Sequence, residues 1–207
     1  MKPTRAELSA LAAADPVLGA ALARVPPFPG FPQARPRLRS HFEAIARAIV
    51  YQQLADPAAR TIWGRVCALV PGRGFMTPAQ LLRLSEAGLC GAGLSHGKLL
   101  ALRDLAGRCA DGRLRLRSIA RLSDEQIIER LVEVRGIGAW TAQMFLLFRL
   151  GRLDVMPAED LAVREGLRVL DGLAERPPAR DVLARAAAWR PLRSVASWVL
   201  WRLSEER

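Results

Sequence analysis

The stretch Leu131-Val132-Glu133-Val134-Arg135-Gly136-Ile137-Gly138-Ala139-Trp140-Thr141-Ala142 holds residues whose types and spacing suggest more than packing. Before it, Ile127, Ile128, Leu131 and Val134 keep the three-and-four spacing of an amphipathic helix; after it, Trp140, Met144, Phe145, Leu147 and Phe148 do the same. Two helices are therefore joined by a tight turn carrying Gly136 and Gly138. Glycine reaches positive φ and has no side chain to hold a second backbone away. The amides of Gly136, Gly138 and the turn through Thr141 then stand unpaired at a helix N-terminus. Free donors and the helix dipole together favour a phosphate oxygen there. An ordinary helical corner would use the same glycines, so the turn alone leaves binding and structure both open.

A second cluster, Gly151 to Asp160, ends in two acids, Glu159 and Asp160, ahead of a helical stretch from Leu161 to Leu170. A fixed carboxylate can stabilise developing positive charge or take a proton from water. Asp160, directly before Leu161, also suits a helix N-cap. These roles are compatible, because a capped carboxylate is a held one. From residue types alone, Glu159 and Asp160 are nearly even candidates. The three cysteines (Cys67, Cys90, Cys109) form neither a disulfide framework nor a metal knuckle, and are expected to be reduced core thiols.

These groups must be positioned by helices. Asp15-Pro16, Asp56-Pro57 and Thr77-Pro78 each set a capping side chain before a proline at the first helical position. Ser40, Ser95 and Ser123 read as further caps, and Ser123 has Gln126 at capping-box spacing. Phe42, Ile45, Ala46, Ile49 and Val50, then Ile62, Val66, Leu69 and Val70, recur at helical period. The expected fold is all-α, a two-lobed helical bundle with a helix-hairpin-helix and a cleft between lobes. Residues 1–39 read as a helical arm with a Pro-rich connection (Pro26, Pro27, Pro29, Pro32, Pro36), packed onto a core at 40–207 as one compact unit. Pro71 to Gly74 reads as a turn, and Glu175 to Arg180 as another break.

Composition narrows the partners. Lys+Arg number 31 against 20 Asp+Glu, a formal charge of +11, and Lys2 and Lys98 are the only lysines. Arginine's planar fork suits phosphate, so a pI near 11.2 points to a polyanion. A hydrophobic fraction of 51% with 25% charged residues argues against disorder. No apolar run reaches the roughly 18 residues of a membrane span. The N-terminal MKPTRAELSA lacks the apolar core of a signal peptide, so the expectation is a cytoplasmic monomer, nucleoid-associated if bacterial, without membrane contact.

From Leu131 to Ala142 the chain fits the pattern apolar-x-x-apolar-x-Gly-apolar-Gly-x-x-Thr-Ala, and so resembles the helix-hairpin-helix of DNA repair glycosylases. Asp160 stands 22 residues past Gly138, where that superfamily carries its catalytic aspartate on a Gly/Pro-rich loop. The string Trp189 to Arg202, the Tyr51-Gln52-Gln53-Leu54 segment and the Gly93-Leu94-Ser95-His96-Gly97-Lys98 turn are similar to the 3-methyladenine DNA glycosylase II subfamily.

The resemblance implies a monofunctional glycosylase that flips alkylated purines out of duplex DNA, the first step of base excision repair. It makes Asp160 catalytic and Trp140, Trp201, Met144 and Leu161 the base pocket. Gln53 (as the wedge), Gly136, Gly138, Thr141 and Lys98 become DNA contacts, with His96 a weaker one. The backbone carbonyls of Val132, Val134 and Ile137 would hold Na+ or K+. No other cofactor is implied. Lysine-dependent relatives place their amine where Trp140 stands, so no lyase activity is expected. Nothing after Cys109 is a cysteine, so no iron–sulfur cluster is expected either. Met144 and Leu161 replace tyrosines of some relatives. Two alternatives stay open at this point: a non-catalytic DNA-binding module, and a glycosylase for deaminated or oxidised bases.

Overall fold

The structure, a computed structural model, describes residues 2–31, 40–70 and 76–206. Pro32, Pro36 and the turn Pro71 to Gly74 therefore lie outside the described residues. Among those described, every regular element is helical, as the apolar spacing predicts. In chain order they are α1 (Arg5–Ala14), α2 (Pro16–Arg24), α3 (His41–Tyr51), α4 (Asp56–Ala68), α5 (Pro78–Arg83) and α6 (Glu86–Gly91). Then come α7 (His96–Ala110), α8 (Asp124–Val132), α9 (Ala139–Phe145), a π-helical turn (Leu146–Leu150), α10 (Leu161–Leu170), α11 (Ala179–Arg185) and α12 (Arg193–Glu205). Short 3-10 turns cover Ile119–Arg121 and Ala186–Trp189.

The capping chemistry largely falls where the side chains predict. The hydroxyls of Ser40, Thr77, Ser95 and Ser123 each accept the amide three residues on, and Thr77 and Ser123 complete capping boxes with Gln80 and Gln126. Asp15 Oδ1 accepts the amides of Val17 and Leu18, both at 3.1 Å. Asp56 departs from the expectation. It is the first residue of α4, not its cap, and pairs with Arg60 one turn on at 2.6 Å. An acid in the first turn still meets the positive end of the helix dipole, so the start is supported electrostatically.

The chain divides into two compact units, one of residues Met1–Gln33 with Leu146–Arg207, the other of Ala34–Phe145. In the first, both ends of the chain share one core: Leu11 and Leu18 from the arm are buried with Val163, Leu167, Trp189, Val195, Val199 and Leu200. A polar link crosses this core. Trp189 Nε1 donates to Asp15 Oδ2 at 2.6 Å, and Arg185 pairs with Asp15 and, at 3.0 Å, with Asp171. In the second unit, α3 packs on α4, α7 and α9, and α7 on α5 and α6. Phe42, Ile45, Ala46, Ile49 and Val50 are all buried there, as their period requires. The thiols are free. Cys67 and Cys109 are half-buried, and Cys90 is exposed, which corrects its expected place in the core. Cys90 sits one position after the buried Leu89 on the short α6, so its side chain turns outward.

Candidate active site

Asp160 is the N-cap of α10. Its Oδ1 accepts the amides of Ala162 at 2.9 Å and Val163 at 3.1 Å. The same oxygen is approached by Trp201 Nε1 from α12 at 3.4 Å. Asp160 is half-buried, whereas Glu159 beside it is exposed, so the backbone separates two acids that residue type left even. The loop ahead of Asp160 is pinned by the start of α12. Arg193 forks onto Asp154 at 2.7 and 3.0 Å. Ser194 Oγ donates to the Arg152 carbonyl at 2.8 Å and accepts the Val155 amide at 3.0 Å, while Ser197 Oγ donates to the Val155 carbonyl at 3.2 Å.

Two further features bring Trp201 and Asp160 together. Gly166 on α10 lies against the Leu200 carbonyl on α12, so closely that a Cβ there would overlap it. A residue with any side chain would push the helices apart, and Trp201 is the next residue after that contact. Phe148, in the π-helical turn, stacks on Trp201 with centroids 5.7 Å apart and planes 23° apart. Phe31 from the N-terminal arm meets Phe148 edge-on at 4.8 Å. π-Helical turns displace side chains from regular helical positions and cluster at functional sites. Phe148 keeps 43% of its surface exposed and Leu161 keeps 60%. Residue reading placed Phe148 on a helix face but missed its pairing with Trp201, which has no local signature. Trp198 is structural: its Nε1 donates to the Pro26 carbonyl at 3.2 Å and Arg202 lies over its ring.

The other unit carries the hairpin. Gly136 adopts φ +76, the left-handed conformation the turn requires. Val134 and Ile137 are buried and Gly138 is exposed. The two glutamines after α3 divide their work. Gln52 Nε2 donates to the Gly136 carbonyl at 2.9 Å and reaches Thr141 Oγ1 at 3.4 Å, tying α3 to the turn. Gln53 takes φ +54 and is exposed, displayed by the end of the helix. Thr141 is buried, with its hydroxyl against Gln52.

Lys98 is tied to the end of α3. Its ammonium donates to the Val50 carbonyl at 2.7 Å, completing the C-terminal end of α3, and burial lowers its pKa. It thereby supports the Gln-Gln segment that follows α3. Trp140 is 43% exposed and Met144 half-buried. At the end of α8, the Val134 carbonyl accepts the Ile137 amide at 3.0 Å. Terminal helix carbonyls carry the negative end of the dipole and are neutral oxygen donors, a set suited to a weakly bound monovalent cation. Val132 ends α8 and Val134 and Ile137 lie in the turn after it, and all three carbonyls are neutral oxygen donors of the kind such an ion takes.

With this geometry in place, the chain can be set beside known proteins. The family model described as HhH-GPD superfamily base excision DNA repair protein matches residues 46–191. DNA-3-methyladenine glycosylase 1 of Schizosaccharomyces pombe is 36% identical over 165 residues, covering 79% of this chain and 72% of that protein. A DNA-3-methyladenine glycosidase of Bacillus halodurans superposes with a TM-score of 0.85 at 32% identity, covering 97% of this chain and 89% of that one. The S. pombe 3-methyladenine DNA glycosylase in complex with abasic DNA superposes with a TM-score of 0.81 at 31% identity, covering 96% of each chain.

Proposed function

The chain belongs to the HhH-GPD superfamily of base excision DNA repair proteins, and on that premise we propose that it is a monofunctional DNA glycosylase for alkylated purines in duplex DNA. The substrates are of the 3-methyladenine and 7-methylguanine type. One observation carries the reading: two helix amides and the Trp201 indole converge on Asp160 Oδ1. A carboxylate is thereby fixed in position with an aromatic ring beside it.

The chemistry follows from the charge on the base. An N3- or N7-alkylated purine is already cationic. As its bond to C1′ breaks, the bonding pair returns to the ring and quenches that charge, so the base leaves without a general acid. Positive charge passes to the sugar, which becomes oxocarbenium-like, and the Asp160 carboxylate stabilises it. Water then forms the new bond to C1′ and gives its proton to Asp160. The products are the free base and an abasic strand. Trp140 carries no amine with which to form a Schiff base, so the strand stays intact. The reaction transfers no electrons and needs no redox cofactor.

Stacked Trp201 and Phe148 offer aromatic surface, which attracts a cationic ring by roughly 0.5–2 kcal/mol at such sites. In the other unit, exposed Trp140 offers an aromatic face of its own and half-buried Met144 an apolar one, while exposed Leu161 follows Asp160 directly in the chain. Base chemistry of this kind requires extrusion from the stack. Gln53, displayed by its left-handed turn, fills the gap, while amides of Gly136, Gly138 and Thr141 take phosphate. The carbonyls of Val132, Val134 and Ile137 would hold Na+ or K+, which would supply local positive charge at the turn. Among the described residues no helix is long and apolar enough to cross a membrane. We infer that it works beside the chromosomal DNA, as a cytoplasmic, nucleoid-associated protein if the cell is bacterial.

The test is release of 3-methyladenine and 7-methylguanine from methylated duplex by wild type and by Asp160→Asn. Loss of release with retained affinity for the duplex is expected; equal release by both would sink the catalytic assignment.

A further inference from the structure

Between α7 and α8 runs Asp111-Gly112-Arg113-Leu114-Arg115-Leu116-Arg117, a segment the proposed chemistry leaves unused. Leu114 and Leu116 are buried at 4% and 8% exposure, and this alternation turns Arg113, Arg115 and Arg117 out to solvent. Arg113 pairs with Asp111. Arg115 and Arg117 have no acidic partner among the described residues. Neighbouring like charges repel one another, so an uncompensated arginine pair held outward by buried leucines marks a surface suited to a polyanion.

The segment is joined to the hairpin. The Leu114 amide donates to the Arg108 carbonyl at 2.8 Å. Arg108 in turn pairs with Asp104 at 3.1 Å and with Glu133, at the end of α8, at 2.9 Å. Asp104 Oδ2 also accepts the amide of Arg135 in the turn itself at 2.8 Å. Two acids next to the turn are thus occupied by Arg108, and the charge added by Arg115 and Arg117 is not offset by them.

We propose that the Arg113–Arg117 loop is a second phosphate-binding surface, extending the hairpin's grip along the flanking duplex through Arg115 and Arg117. This rests on the reading that the hairpin binds duplex DNA. Guanidinium groups match phosphate oxygens in a fork geometry, and each phosphate neutralised releases condensed counterions. Contact of this kind positions the enzyme without reading sequence.

The experiment is fluorescence anisotropy of an undamaged labelled duplex against salt, for wild type, Arg115→Ser/Arg117→Ser and Arg115→Lys/Arg117→Lys. Both side chains are exposed, so thermal melts of the three proteins should nearly coincide. Two lost contacts make the slope of log affinity on log salt shallower by about 1.8, at about 0.9 per contact. Between 50 and 200 mM salt, wild type then loses about 12-fold more affinity than the serine variant. The lysine variant, which keeps the charge, retains the wild-type slope. A serine variant with the wild-type slope overturns the proposal and leaves the loop to an acidic protein partner or to solvent. Failure of wild type to release alkylated bases would instead count against the glycosylase reading, and the salt slopes would still be readable.

Discussion

Asp160 caps α10 and, in the proposed mechanism, also serves the sugar; one substitution can separate the two roles. Asparagine caps a helix about as well as aspartate, so Asp160→Asn keeps the α10 start, whereas alanine costs about 1 kcal/mol of stability. In the proposed mechanism, what asparagine loses is the negative charge that stabilises the sugar and the ability to accept a proton. Release of alkylated bases should therefore fall by roughly 10²–10⁴-fold, the range of a positioned acid–base group. Single-turnover assays at saturating enzyme check this, with thermal melts confirming an intact fold. The cysteines allow a second measurement on single side chains. Burial, with Glu43 nearby, pushes the Cys67 thiol up to about 11, and burial, with Asp111 nearby, does the same for Cys109. The thiolate is the reactive form, so both should be slow at neutral pH. A chromogenic disulfide added to native protein at pH 7.5 should report one fast thiol, exposed Cys90, and three after denaturation. Three fast thiols in the native protein would contradict the burial of Cys67 and Cys109.

Helix packing decides how close Trp201 comes to Asp160. Gly166 against the Leu200 carbonyl is the point of closest approach between α10 and α12, where a methyl group has no room. Gly166→Ala should cost about 1–3 kcal/mol, the usual penalty of overpacking, and lower base release at temperatures where the variant remains folded. Denaturant titration and single-turnover rates measure the two effects; an alanine variant as stable as wild type would mean that the helices separate freely. The sequence reveals one side of this arrangement and hides the other. Caps at Ser40, Thr77, Ser95, Ser123 and Asp160 are legible because cap and amide lie within three residues. The hairpin is legible for a similar reason, its glycines and apolar positions being local. Asp56 misled because Asp-Pro reads as cap and first residue, whereas the helix starts one residue earlier, with Pro57 at its second position. Arg193 on Asp154, Phe148 on Trp201 and Gln52 on the Gly136 carbonyl join residues 39, 53 and 84 positions apart. Nothing in either partner's neighbourhood announces them. The bond from Lys98 to the Val50 carbonyl is hidden in the same way, its partner lying 48 positions away.

Because the unit that carries Asp160 is assembled from both ends of the chain, its integrity depends on contacts of very long sequence separation. Asp15 is the polar tie among them, 5% exposed and bonded to Trp189, 174 positions away, and to Arg185. Burial alone would push its carboxyl up. The hydrogen bonds from Arg185 and Trp189, then the Leu18 amide and the charge of Arg185, outweigh burial and hold it at about 2. A carboxyl depressed in the folded state stabilises the fold fully above its unfolded value, about 3.9, and loses that contribution as pH falls toward 2. A gap of nearly two units corresponds to roughly 2 kcal/mol. Other acids, such as Glu7, Asp111 and Glu165, are also held below the ordinary carboxylate range by their partners, but they titrate alike with or without Asp15. The informative quantity is therefore the stability difference between wild type and Asp15→Asn, in which those groups cancel. Urea melts from pH 7 down to pH 2.5 should show wild type ahead by roughly 2 kcal/mol above pH 5, with the gap narrowing steadily below pH 4. A gap constant over that interval would mean that the arm is held by its leucines alone and that the charge of Asp15 is incidental.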